Sequence, residues 1–284
     1  MCTIISIINN KGGVGKTSST GFLAELLAYL QQNTLVVDLD QQSNISMMLG
    51  HYIEDSDDVI QGISAPSEPN IAELFKYRYR DYANVKSLIY STSIKHLDIL
   101  PASSRHKNTP TIIAANETGN NNIILKKALM AVKEDYDFIL IDNAPANDVL
   151  TVNSMFVSDW IYIPVRLEGF SYAGLKETIK TIQYIKEEHD IDTVQFGGTF
   201  ITHVEERTNI FKDLSESYEA ELQNKFFKTH IRKDIKVSEV ETTYRPILEY
   251  CPNTNAVFDY ANLLLEMHIL PESAQKLLAQ SIGA

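Results

Sequence analysis

The segment from Thr3 to Gln32 leaves this chain little freedom of architecture. Thr3 to Asn9 (TIISIIN) is an apolar, β-branched run suited to a buried strand, and Thr17 to Gln32 carries Phe22, Leu23, Leu26, Leu27 and Leu30 at helical spacing. Between them lie Lys11, Gly12, Gly13, Val14, Gly15 and Lys16. A strand that turns through glycines straight into a helix lets several backbone N–H groups face one anion at the helix N-terminus. The sequence nearly matches G-x-x-x-x-G-K-[ST], in which the lysine, here Lys16, reaches the β- and γ-phosphates and the hydroxyl, here Thr17, ligates Mg2+. Two details depart from that pattern: Asn10 replaces its first glycine, and Lys11 adds a second lysine.

The rest of the chain repeats the alternation. Thr34 to Asp40 (TLVVDLD), Asp137 to Asp142 (DFILID) and Trp160 to Val165 (WIYIPV) read as buried strands, with helices near 122–135, 147–157 and 171–188. Val194 to Val204 and Phe226 to Lys233 read as two more strands around a helix near 207–224, and Asn255 to Ile269 as a closing helix. Apolar strands alternating with amphipathic helices imply an α/β fold: a mostly parallel sheet flanked by helices on both faces, in three α/β/α layers. Polar stretches near 52–70 and 103–122 fit surface insertions, because neither side of them holds a complete fold. The expectation is a single domain over 1–284.

Composition narrows the class. Cys2 and Cys251 are far apart and lack metal-ligand spacing, which argues against a disulfide framework or a zinc site. No basic leader segment and no apolar run of about 18 residues occurs, so a cytoplasmic protein is expected, neither exported nor membrane-spanning. The net charge of −12 opposes general polyanion binding unless basic residues are focused on one face.

A phosphate site with Mg2+ needs carboxylates at the C-terminal ends of neighbouring parallel strands. Two strands supply them. FILID closes on Asp142, placed for a water-mediated hold on Mg2+, and LVVDLD places Asp38 and Asp40 on one face by its period of two. Either aspartate alone could cap a following turn; together with the glycine loop they favour a nucleotide site.

KGGVGKTS with Lys11, DLDQQSN at Asp38 to Asn44, FILIDNAP at Phe138 to Pro145 and IPVRLEGFSYAGL at Ile163 to Leu175 resemble the deviant Walker A ATPases, the P-loop group of ParA, Soj and MinD. The resemblance implies ATP and Mg2+ as ligands and an ATP sandwich homodimer, in which Lys11 crosses to the phosphates of the other subunit. It also implies that Asp40 positions or activates the attacking water, that Thr17 and Asp142 serve Mg2+, and that Ser18 touches the α-phosphate. A second cation at the β–γ bridge is electrostatically sensible, since charge builds there during phosphoryl transfer. HIRKDIKVSEV at His230 to Val240, followed by Arg245-Pro246-Ile247, resembles the ParA/Soj branch most closely, and by position Arg232 and Asp234 would lie beside the adenine. The chain departs from the family at Gln41, where proline is usual, at Ser43, where glycine is usual, and at Ala144 and Arg166.

The ParA/Soj resemblance further implies non-specific DNA binding on the nucleoid and stimulation by a ParB-type centromere-binding protein, whose basic N-terminal segment an acidic surface would suit. Lys225, Lys228, Arg232, Lys233 and Lys236 fall within twelve residues broken by one acid, and Arg207 and Arg245 would extend that patch. Lysines guarding an edge strand are the plainer reading of the same residues. With only ten residues before Lys11, no helix-turn-helix domain is expected ahead of the loop. Alternatives on the same core are positioning of a non-DNA cargo or a MinD-like membrane switch. The latter needs a basic amphipathic C-terminal helix, and PESAQKLLAQSIGA has one lysine, so stable membrane association is not expected.

Overall fold

The apolar runs and helical periods become elements close to where the sequence puts them. The computed structural model describes residues 2–52, 68–103, 106, 108–115, 120–166, 171–205 and 209–283. In chain order these form β1 (Thr3–Ile7), α1 (Lys16–Tyr29), β2 (Thr34–Asp38), α2 (Asn44–Met48), α3 (Ile71–Tyr77), α4 (Tyr82–Lys86), β3 (Tyr90–Ser91), β4 (Leu97–Leu100), α5 (Thr109–Ala114) and α6 (Ile124–Val132). There follow β5 (Phe138–Asp142), α7 (Val149–Val157), β6 (Trp160–Arg166), α8 (Ser171–Glu188), β7 (Gln195–Thr202), α9 (Asn209–Leu222), α10 (Ile235–Thr243), α11 (Ile247–Tyr250), α12 (Asn255–Glu266) and α13 (Glu272–Ile282).

The strands make one sheet in the order β3-β4-β2-β5-β1-β6-β7. Every neighbouring pair is parallel except β3 with β4. Parallel strands need crossovers that place helices on both faces, so β2 and β5 are buried along their whole length. The register sets Ile7 and Asp38 both level with Asp142, so three neighbouring strands end together at one edge of the sheet. That edge is where the loops carrying the candidate residues emerge.

On one face, α1 is buried nearly all round, which is why its apolar residues do not confine themselves to one stripe. It is enclosed by the sheet and by the C-terminal helices: Phe22 stacks on Tyr260 with ring centroids 4.4 Å apart, and the Ser19 and Tyr260 hydroxyls share a 2.8 Å hydrogen bond. Burial of such large side chains contributes roughly 1.5–3 kcal/mol each. The opposite face carries α3, α4 and α6, packed through residues such as Leu74, Val85 and Leu125.

Three sequence expectations change. Phe226 to Lys233 is not a strand. It runs beside β7 but joins it only through isolated bridges at Thr199–Phe226 and Val204–Arg232. Phe226 stands 27 residues beyond Thr199 but Arg232 stands 28 beyond Val204, so one extra residue shifts the register between the two bridges. The expected strand thus lacks an evenly spaced ladder to join. Second, β4 and short helices such as α2, α3 and α10 were not expected, their four to nine residues giving too short a period. Third, the C-terminal tail forms α13, and its Ala274 and Leu278 are buried in the core around α1. No helix among the described residues is long and apolar enough to cross a membrane.

Candidate nucleotide-binding site

The loop from β1 to α1 is shaped by its glycines. Gly13 and Gly15 adopt φ 71° and 84°, values that side chains disfavour, and Gly15 leads into α1 with no side-chain cap on the helix. The first N–H groups of α1 are therefore left to an anion. Neighbouring side chains hold the loop: Asn9 accepts from the Lys11 N–H at 2.9 Å and donates to the Pro164 carbonyl at 2.7 Å. The Thr202 hydroxyl donates to the Val14 carbonyl at 2.9 Å, and Arg166 Nη1 to the Gly13 carbonyl at 3.2 Å.

Lys16 is 6% exposed, and its Nζ donates to the Lys11 carbonyl at 2.9 Å. Burial pushes its pKa down, against the opposing charges of Asp142 and Asp40. Asp142 is fully buried at the end of β5; its Oδ1 accepts from Thr20 at 3.4 Å, the Thr17 hydroxyl stands near enough to favour its charged form, and its buried Oδ2 has no partner. Burial first, then the Asp40 charge, pushes the Asp142 carboxyl up to about 7, while Thr17, Lys16 and Thr20 pull it back. Asp40 is 8% exposed and opens, with Gly12, Gly15, Lys16, Thr17 and Pro145, onto a cavity of about 260 Å³. One Asp40 oxygen accepts from the Gln42 N–H at 2.9 Å, which fixes the direction of the carboxylate.

Asp38 turns out to be structural. It is buried, accepts 2.6 Å from the Ser46 hydroxyl and 2.9 Å from the Asp40 N–H, and so ties β2 to α2. Burial and the facing Asp142 hold its carboxyl well above the usual range. The other candidates disperse. Ser18 is buried beside the loop and lines the same cavity. Arg232 chelates Asp259, with contacts of 2.7 to 3.1 Å, and Asp234 caps α10 through the Lys236 N–H at 2.9 Å; neither lines the loop cavity. Among the basic candidates, Lys233 pairs with Glu205, Lys236 with Glu239 and Arg245 with Glu249, at 2.7, 2.7 and 2.9 Å. Lys225 and Lys228 make no ion pair among the described residues. Arg207 lies outside the described residues.

Lys11 is exposed at the mouth of the loop, its side chain drawn across Gly174 in the first turn of α8. Sequence reasoning missed Gly174, Thr20 and Thr202 as parts of the site. Arg166 stood out only as a departure from the family pattern, and its bond to Gly13 now gives it a place.

Comparison with known proteins fits this geometry. The family model described as an AAA domain matches residues 2–194. The sporulation initiation inhibitor protein Soj of Bacillus subtilis is 31% identical over 267 residues, covering 94% of this chain and 98% of that protein. This chain belongs to the ParA/Soj family of P-loop ATPases. A second family member, the chromosome-partitioning ATPase Soj of Treponema pallidum, is 29% identical over 92% of this chain and 94% of its own. The ParA/Soj fold is seen again in a Borrelia burgdorferi protein described as a plasmid partition protein, solved bound to AMPPNP. It matches with a TM-score of 0.73 at 23% identity, covering 94% of this chain and 98% of that one.

Proposed function

We propose that this chain is a single-domain ATPase over 1–284 that segregates DNA, pairing with a second copy of itself when ATP is bound. The observation that carries this reading is the pairing of a complete phosphate loop with a second lysine exposed at its mouth. The residues present fit ATP and Mg2+: α1 offers uncapped N–H groups, Asp142 keeps a buried oxygen without a partner, and Thr17 sits between them. No group of three His, Cys, Asp or Glu side chains able to hold a metal occurs among the described residues. A divalent ion would therefore be held by the Thr17 hydroxyl and phosphate oxygens, with Asp142 behind them, where it would screen the charge between β- and γ-phosphates.

In this reading Gly12 to Ser18 bind the phosphates, Lys16 orients the γ-phosphate, Asp40 orients the attacking water, and Lys11 moves to the partner's phosphates. Turnover is slow, because a switch must outlast the event it controls. The ATP-bound pair holds nucleoid DNA without sequence preference through Lys225 and Lys228. Lys233, Lys236 and Arg245 join them as their exposed ion pairs, each worth little in water, exchange acids for phosphates, and Arg207 adds a further cation. A ParB-type centromere-binding partner stimulates hydrolysis and releases the DNA. The buried apolar face of α13 favours this cytoplasmic reading over a membrane switch.

Sedimentation and filter binding with ATP and ADP test the reading. Lys11→Ala should bind nucleotide yet lose both the ATP-dependent dimer and DNA retention. Wild-type DNA binding that is equal in ATP and ADP and insensitive to salt would overturn it.

A further inference from the structure

Lys76-Tyr77-Arg78-Tyr79-Arg80 alternates cations with tyrosines, and the nucleotide site uses none of them. The stretch ends α3, where Arg78 takes the left-handed conformation at φ 54° and turns the chain sharply. The turn brings the Tyr77 and Tyr79 rings together, with centroids 5.6 Å apart and planes 20° from parallel. Tyr77 to Asp81, with Asn84, Asn120 and Lys127, line a cavity of about 490 Å³, within the range of small-ligand sites. It lies in the helical layer on the far side of the sheet from α1.

Among the described residues the cavity's cations, Arg78, Arg80 and Lys127, outnumber its one lining acid, Asp81. No ion pair engages Arg80 or Lys127 among the described residues. Arg78 donates to Asn121 Oδ1, but its buried Nε has no acceptor. One acid, Asp81, lines the cavity with them and accepts from the Asn84 N–H and side chain at 3.0 and 2.8 Å; the neighbouring Asp135 is paired with Lys86 and accepts from the Tyr82 hydroxyl, at 2.9 Å each. A chain of net charge −12 thus keeps a local positive cavity walled by stacked aromatic rings.

We propose that this cavity binds a nucleotide unit, with Arg80 and Lys127 on the phosphate and the tyrosine pair stacking on an unpaired base. Cations satisfy the phosphate, a flat ring satisfies the base face, and the two asparagine amides can meet its polar edge. The unit can arrive as a free mononucleotide or within a single strand of nucleic acid. A duplex hides its base faces and gains from the cations alone.

The test uses full-length Lys16→Ala protein, to silence the phosphate loop, and fluorescence anisotropy with a labelled thymidine 12-mer, a duplex of the same length, and AMP as competitor. Tighter binding of the single strand than of the duplex is expected. Arg80→Glu with Lys127→Glu should weaken the single strand at least about ten-fold. Tyr77→Leu should weaken it about five-fold or more, the size of one base–aromatic stack, and leave the duplex unchanged. Tyr77 is 55% exposed, so its variant should melt like the parent and separates binding from folding. Displacement by millimolar AMP assigns the cavity to a free nucleotide, and displacement by unlabelled strand alone assigns it to a strand; both support the proposal. Single-strand affinity unmoved by either variant overturns it. So does a duplex that binds equally well while Tyr77→Leu changes nothing, since that describes a charged patch only.

Discussion

A Cβ built on Gly174 would lie 2.8 Å from Cε and 2.9 Å from Nζ of Lys11. The second lysine of the loop therefore rests across the first turn of α8, in a slot that only glycine leaves open. An ammonium group at the positive end of a helix dipole is poorly placed, so the resting position holds Lys11 weakly and an anion in reach would draw it away.

Gly174→Ala is the direct probe of that slot. The clash falls on the far end of a flexible side chain, so Lys11 moves at little cost, while alanine improves a helix position by about 1 kcal/mol. We expect the melting temperature to rise by about 2 °C. We also expect the ATP-dependent dimer to form at lower protein concentration in sedimentation, because Lys11 has lost its resting place. A weaker dimer would mean that Gly174 instead guides Lys11 toward the partner.

Asp40→Ala separates hydrolysis from pairing. The carboxylate faces the loop cavity and is aimed by the Gln42 N–H, and it supports neither a strand nor a helix end. Removing it should lower phosphate release at least about 100-fold, the usual size of a lost acid–base or water-positioning group. ATP-dependent dimers should persist. Undiminished phosphate release would remove Asp40 from the reaction.

The sheet and the loop were legible in the sequence because each is a local pattern: a buried parallel strand is an apolar run, and a phosphate loop is a run of glycines before a lysine. Asp38 shows where local pattern fails. Its period-two relation to Asp40 is real in the sequence, but only the position of Ser46 on α2 reveals that Asp38 is a structural tie. Phe226 to Lys233 reads as a strand from its own residues; what breaks the ladder is the one-residue change of offset against β7 between its two bridges, which is visible only once the partner strand is placed. The basic cluster was legible as composition, but its pairing was not read: Glu239 and Glu249 stand three and four residues beyond Lys236 and Arg245, while Glu205 reaches Lys233 from just past the end of β7.

Glu25 gives the fold a pH dependence. It is buried in α1 and accepts the N–H groups of Ile247 and Leu248 at 2.8 Å each, anchoring α11. Burial outweighs those bonds and pushes its carboxyl from 4.5 up to about 7. A folded-state pKa above the unfolded one means the folded protein holds the proton more tightly. This contribution is therefore full below about 4.5 and is lost as pH rises through about 7, by up to about 3 kcal/mol. Glu25→Gln sets one amide N–H against a backbone N–H and costs about 1–3 kcal/mol at every pH. The stability gap between wild type and Glu25→Gln in urea melts should accordingly narrow from pH 5 to pH 8. A constant gap would show that Glu25 titrates as an ordinary carboxylate.

Ser43 stands in a backbone conformation that suits glycine better than serine. It precedes α2 at φ 55° and ψ 28°, the left-handed region, and its buried hydroxyl has no hydrogen-bond partner. The left-handed backbone costs an L-residue about 1–2 kcal/mol, and an unsatisfied buried hydroxyl about 1–3 kcal/mol. Ser43→Gly relieves both and loses about 0.5–1 kcal/mol to the greater freedom of glycine in the unfolded chain. The sum favours the variant, so we expect a gain of at least about 1 kcal/mol in urea midpoint measurements at unchanged slope. Because Asp40 lies three residues away and its carbonyl accepts the Ser43 N–H at 3.0 Å, ATP hydrolysis by the same protein reports whether the strain serves the site. A more stable Ser43→Gly enzyme with unchanged turnover would mark the strain as incidental, whereas a more stable but slower one would tie the Ser43 backbone to the aim of Asp40.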